Sequence, residues 1–176
     1  MNEGQTIRLQ KFKWAGAMLI LLLASAPVPA QKTGAPAKYV PVTEYDPKRD
    51  AAEDLQNAIL EAERTHKHIL LEVGGQWCSW CHTLDKFFQA NAGLLNLRER
   101  NFVTLKINFS EENQNQDLLS GYPEIIGFPH IFFLDSHGKL LQSQDTSVLE
   151  NGKSYNLERL TSVLTKWGPP SRHRSN

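Results

Sequence analysis

One stretch constrains this chain more than any other. Ile69-Leu70-Leu71-Glu72-Val73 is a short apolar run closed by Gly74-Gly75, and Gln76-Trp77-Cys78-Ser79-Trp80-Cys81-His82 follows directly. A continuous apolar strand suits the centre of a sheet covered on both faces. A helical pattern resumes through Leu84, Phe87 and Phe88, so the two cysteines stand where a strand hands over to a helix. At a helix N-terminus the unpaired backbone N–H groups and the macrodipole favour an anion. Cys78 is therefore expected to carry a stabilised thiolate, to be the exposed cysteine and to react faster. Cys81, one turn on, can reach back to it, so the pair can cycle between dithiol and disulfide.

The flanking sequence extends this pattern. Asp50 and Glu53 read as a capping box ahead of a helix carrying Leu55, Ala58, Ile59 and Ala62. Phe102–Asn108 and Ile131–Leu134 read as two further strands, separated by a polar loop over 110–121 with a short helix around Asp117–Leu119. Gly138 in the turn after Asp135 predicts a hairpin returning through Leu140-Leu141. Asn156 can cap a last helix that ends at Gly168-Pro169-Pro170. The order α-β-α-β-(α)-β-β-α predicts an α/β fold: a central mixed sheet flanked by helices, with one parallel pair joined by a crossover and one antiparallel hairpin.

The ends and the charge balance bound what the domain does. Arg8, Lys11 and Lys13 precede the uncharged run Ala15–Ala24 and the small-residue segment Ser25–Ala30. This is the layout of a signal peptide over residues 1–30, cleaved after Ala30. The alternative, an uncleaved anchor, needs about 20 apolar residues, and the run is shorter. Residues 31–47 form an extended lead-in, with Tyr39-Val40-Pro41-Val42 expected to pack on the domain; 48–168 form the folded domain and 169–176 a flexible tail. The expected location is exported, in the periplasm or outside the cell, without stable membrane insertion after cleavage. The 176-residue chain has 19 basic and 19 acidic side chains. With no basic excess to neutralise phosphates, nucleic acid is not an expected partner. Both cysteines lie beyond residue 30, and an oxidising compartment allows them a disulfide.

Glu72 is the second chemical signal. A lone carboxylate in an apolar strand is costly unless paired or protonated, and desolvation should raise its pKa towards a usable proton shuttle. An edge position, with Glu72 turned to solvent, is the bland alternative. Three other readings compete for the cysteines. Cys78-Ser79-Trp80-Cys81-His82 spells the attachment signal of a c-type haem, with His82 as proximal ligand, but the strand running into it does not suit a small helical cytochrome. Cys78, Cys81 and His82 are close zinc donors without a second Cys/His pair, so no metal or other cofactor is expected. A purely structural disulfide would close too few residues to constrain the unfolded chain much. Trp77 and Trp80 can form an apolar collar for substrate, with Trp80 expected to be the exposed one. His130 either lies near the cysteines or is a surface or strand-end histidine.

The strand ILLEVGGQ, the motif Trp77-Cys78-Ser79-Trp80-Cys81 and the segment Gly127-Phe128-Pro129-His130 before IFFLD resemble the thioredoxin family over about residues 48–168. The wording WCxWCH followed by LDxFF looks most like a branch of exported thioredoxin-like proteins. The resemblance implies a thioredoxin-like fold and a thiol–disulfide oxidoreductase. Cys78 matches the attacking cysteine, Cys81 the resolving cysteine and Glu72 the buried acidic residue, often Asp, that relays the second cysteine's proton. Pro129 matches the proline whose cis peptide faces the disulfide, with Phe128 presenting its backbone to an extended substrate. Implied partners are protein thiols and disulfides, plus an external redox partner for recycling, since two cysteines supply no internal relay. The sequence departs from the family at three points. Ser79-Trp80 is neither the Gly-Pro of cytosolic thioredoxins nor the Pro-His of the periplasmic oxidant, Lys86 replaces a usual proline, and the segment between Cys81 and Pro129 is several residues longer. A thioredoxin fold that docks extended polypeptide without turnover is the reading from another class.

Overall fold

The structure is a computed structural model, and it describes residues 39–170. The signal-peptide reading, the first part of the lead-in and the last six residues lie outside the described residues.

Five helices and six strands follow one another as α1 (Ala51–Thr65), β1 (His68–Gly74), α2 (Ser79–Ala90), α3 (Ala92–Asn101), β2 (Phe102–Asn108), α4 (Gln116–Leu119), β3 (His130–Leu134), β4 (Leu140–Asp145), β5 (Glu150–Asn151), β6 (Ser154–Tyr155) and α5 (Leu157–Trp167). Asp50 caps α1, its carboxylate accepting from the N–H groups of Ala52 and Glu53, and Asn156 caps α5 by accepting from Arg159 N–H. These are the side-chain acceptors that orphan N–H groups at a helix start require. Gly138 takes φ 82° in the β3–β4 turn, as the hairpin demands.

The main sheet runs β2-β1-β3-β4. β1 pairs in parallel with β2 and antiparallel with β3, so it is an interior strand, as its apolar run predicts. The edge-strand alternative for Glu72 is thereby removed. Strand alternation then sorts the side chains. Ile69, Leu71 and Val73 join α1 residues and Phe132 in one core. Leu70 lies on the other side with Leu84 and Phe88 of α2, Phe133 of β3 and Leu160 and Leu164 of α5. Glu72 and Gly74 share the parity of Leu70, so they lie on the face that α2 covers.

Two features were not expected from sequence. α3 is an additional helix, separated from α2 at Asn91, whose side-chain amide donates to the Phe87 carbonyl at 2.7 Å. β5 and β6 form a two-residue hairpin before α5. The lead-in packs on the domain at Val42, as its apolar residues predict: Val42 forms a parallel bridge with Leu105, and Lys106 N–H donates to its carbonyl at 3.2 Å. The lead-in therefore covers part of the β2 edge. The opposite edge, β4, is guarded differently. The side-chain amides of Gln142 and Gln144 donate to the backbone carbonyls of Ser143 and Asp145, each at 2.7 Å.

Candidate active site

Cys78 and Cys81 form a disulfide, with Cα atoms 5.3 Å apart. Cys78 is the N-cap of α2, and its sulfur accepts the Cys81 N–H at 3.1 Å. The sulfur thus already occupies the point where the helix offers free N–H groups, and this arrangement would favour a thiolate after reduction. One expectation is corrected. Cys78 is only 3% exposed and Cys81 is fully buried. In the disulfide form Trp80 and Phe128 pack against the sulfur cluster, together with the buried Tyr45.

The two tryptophans exchange their expected exposure. Trp77 is the open one, 58% exposed, while its indole N–H donates to the Phe109 carbonyl at 2.7 Å. Trp80 is half-buried because its ring meets Tyr155 edge-on at 5.5 Å, between the α2 core and the cysteines. Phe128 joins Trp77, edge-on at 5.4 Å, to Phe109, tilted at 4.9 Å. Beyond this aromatic row lies a groove of about 410 Å³ whose lining includes Phe109, Leu119, Tyr122, Ile125 and Phe128. The longer segment after β2 builds most of it.

The Phe128–Pro129 peptide bond is cis. Thr146 Oγ1 donates to the Pro129 carbonyl at 2.5 Å, and neither backbone group of Phe128 has a hydrogen-bond partner among the described residues. His130 follows at the start of β3, where it is buried rather than at the surface. Its ring lies 4.7 Å from that of Phe132, and Nε2 is 2.8 Å from Ser143 Oγ. Burial pushes its pKa down, against a smaller opposing effect of Asp145.

Glu72 is wholly buried. The Tyr45 hydroxyl donates to Oε1, while Oε2 has no partner. Desolvation raises its pKa; the nearby Lys106 charge and the Tyr45 hydrogen bond oppose this, and Asp85 reinforces it. Lys106, opposite Glu72 in the β1–β2 register, donates to Asp85 Oδ2 at 2.5 Å and lies 4.7 Å from the centre of the Tyr45 ring. Gly74 marks how tightly the parts meet. A Cβ there would stand 2.5 Å from Cys81 Sγ and 3.0 Å from the Tyr45 hydroxyl.

Tyr45, Lys106 and Asp85 were not singled out from the sequence. A lysine within the apolar strand FVTLKIN was an available signal for Lys106. Tyr45 sits in the polar run TEYDP, and no periodicity points to it. As for haem, Cys81 is fully buried in the first turn of α2, and the His82 Nε2–H donates to the Gln76 carbonyl at 2.8 Å. A porphyrin joined to both sulfurs would have to open this packing, so the residues do not fit that group.

Residues 50–136 match the thioredoxin-like family model. The chain is thioredoxin-like. It is 33% identical over 98 residues to the disulfide bond reductase DsbH of Chlamydia pneumoniae, a match covering 51% of this chain and 58% of that protein. It is 30% identical over 92 residues to the thiol:disulfide interchange protein DsbD of Actinobacillus pleuropneumoniae, covering 51% of this chain and 15% of that protein. The crystal structure of a disulphide isomerase from Xylella fastidiosa Temecula1 superposes with a TM-score of 0.60 at 28% identity, covering 69% of this chain and 94% of the other. This thioredoxin-like chain thus aligns with little more than half of DsbH and a small part of DsbD. Among the described residues, no helix is long and apolar enough to cross a membrane.

Proposed function

We propose that the chain is an exported thiol–disulfide oxidoreductase that exchanges disulfides with extended polypeptide. The observation that carries this reading is the Cys78–Cys81 disulfide at the N-cap of α2, packed against Phe128 of the cis Phe128–Pro129 pair. After reduction, the Cys78 thiolate attacks one sulfur of a substrate disulfide. A Cys78–substrate disulfide forms and the other substrate sulfur leaves as a thiolate. Cys81, once deprotonated, attacks the Cys78 sulfur and expels the second substrate thiolate. Two electrons pass to the substrate, and the Cys78–Cys81 disulfide is restored. An external dithiol then recycles it; run in reverse, with a substrate dithiol attacking the Cys78–Cys81 disulfide, the same steps oxidise the substrate and leave the pair reduced.

The unpaired backbone groups of Phe128 can pair with an extended chain as an added strand would. Trp77, Trp80 and Phe128 supply apolar contact beside it. The names of the matched relatives, a disulfide reductase, an interchange protein and a disulphide isomerase, support this class of chemistry. Export rests on the layout of residues 1–30, and the mass of the protein secreted from an exporting host tests it.

The function is tested with Cys81→Ser in the reduced full chain. The variant should accumulate mixed disulfides with protein substrates through Cys78, and wild type should turn them over. If neither protein forms a covalent adduct with a disulfide-bonded substrate but both bind it, the chain is a polypeptide-binding module without turnover.

A further inference from the structure

Attack by Cys81 requires loss of its proton in a place that water does not reach. The sulfur is fully buried, and the buried acceptor on the same face of the sheet is Glu72, two residues before Gly74 on β1. Between them stands a phenol that belongs to neither β1 nor α2. Tyr45 arrives on the lead-in, which the Val42 bridge holds against β2. It is almost completely buried, its hydroxyl donates to Glu72 Oε1, and it packs in the same cluster as Cys78 and Cys81. One point in space, the missing Cβ of Gly74, lies 2.5 Å from Cys81 Sγ and 3.0 Å from the Tyr45 hydroxyl. The separation of sulfur and hydroxyl therefore cannot exceed the sum of those distances.

Taking the oxidoreductase reading above as its basis, we infer that the Tyr45 hydroxyl relays the proton of Cys81 to Glu72 in the resolving step. A hydroxyl has one hydrogen to donate and lone pairs to accept, so Tyr45 can hold Glu72 and receive from a thiol at once. As the Cys81 S–H bond breaks, its proton passes to the Tyr45 oxygen, and the hydrogen that oxygen already carries passes to Glu72 Oε1. Tyr45 ends as it began, a neutral phenol; Glu72 ends as a carboxylic acid and Cys81 as a thiolate. That thiolate forms its bond to Cys78 Sγ while the Cys78–substrate S–S bond breaks, and the substrate thiolate leaves to solvent. Burial, reinforced by the charge of Glu72, pushes the Tyr45 pKa well above its ordinary value, so the phenol keeps its hydrogen between turnovers. The titratable and charged groups facing this pair are Asp85 from α2, Arg98 from α3, Lys106 from β2 and Tyr155 from β6. Recycling by the external dithiol runs the relay backwards: Cys81 leaves the disulfide as a thiolate and recovers its proton from Glu72 through Tyr45.

The test follows the two halves of one turnover with 5,5′-dithiobis(2-nitrobenzoate) and the reduced full chain. Attack by Cys78 releases the first coloured thiolate, and resolution by Cys81 releases the second. Tyr45→Phe removes one oxygen and keeps the ring. It should leave the first phase within about twofold of wild type and slow the second by about a hundredfold or more, the lower end of general acid–base effects. Glu72→Gln should slow the second phase as well, and adding Tyr45→Phe to it should slow it little further, because both belong to one path. The pH dependence of the second phase should change in the same way in both variants. In wild type, the second-phase rate should fall along a curved line as the D₂O fraction rises, since two protons move together; this measurement needs no variant to fold. A second phase unchanged in Tyr45→Phe, losses that multiply in the double variant, or a straight line in D₂O would each overturn the relay. Failure of the wild type to release the second thiolate would instead overturn the oxidoreductase reading on which the relay stands.

Discussion

Glu72 is a carboxyl group wholly buried in the fold, and its protonation is tied to the stability of that fold. Burial holds its pKa above the ordinary value of 4.5. The folded state therefore keeps a proton that the unfolded state gives up. The stabilisation from that proton is complete below the unfolded value and is lost as pH rises through the folded one. Glu72→Gln, which can still accept from Tyr45, is neutral at every pH. Its unfolding free energy should match wild type at about pH 4 and exceed it at about pH 8, as read from urea titrations at the two values. The same residue shows what a sequence discloses at this scale. A single charge inside ILLEV announces itself, because burial makes it costly. Tyr45 announces nothing: its partner is 27 positions away, and only the path of the lead-in brings them together. Trp77 and Trp80 mark a related limit. Both flank Cys78, but the chain outside the motif decides which is covered, and that cover is Tyr155 on β6.

At the level of elements, the four main strands and α1, α2 and α5 follow from apolar runs, caps and turn residues near their observed ends. α3 escaped because Leu94, Leu95 and Leu97 sit close behind Asn91 and Gly93, which read as a break. β5 and β6 are two residues each, too short for alternation to show. The lead-in matters most: its packing at Val42 is legible from Tyr39-Val40-Pro41-Val42, but the proline- and charge-rich run that follows does not disclose that Tyr45 turns inward. Here it supplies a bridge to β2 and a phenol under the disulfide. Val42→Ala, which trims the buried side chain at the bridge, should cost about 2 kcal/mol in urea unfolding. It should also slow the Cys81 step without affecting attack by Cys78, because it loosens the lead-in that carries Tyr45. A loss of stability with both steps at wild-type rates would separate the lead-in from the chemistry.

For the molecule as a whole, one sheet with a core on each face explains why so local a motif behaves predictably. β1 is clamped between β2 and β3, so the turn at Gly74-Gly75 and the start of α2 emerge from a strand held on both sides through Val73. The outer strand β4 has the opposite problem. An outermost strand offers unpaired N–H and C=O groups to any other chain that arrives in register. Gln142 and Gln144 fold their amides back onto the carbonyls of Ser143 and Asp145. Those acceptors are then engaged before a neighbouring molecule can use them. Replacing both glutamines with valine keeps the strand's shape and favours extended backbone, but frees the carbonyls. The double variant should sediment faster as its concentration rises, whereas wild type should show no such association through this edge. The consequence reaches past folding to colloidal behaviour. Under the proposed function, a protein that meets extended chains beside one end of its sheet must not offer the sheet's flank as a second, indiscriminate meeting place, and two side-chain amides on β4 engage carbonyls of that flank from within.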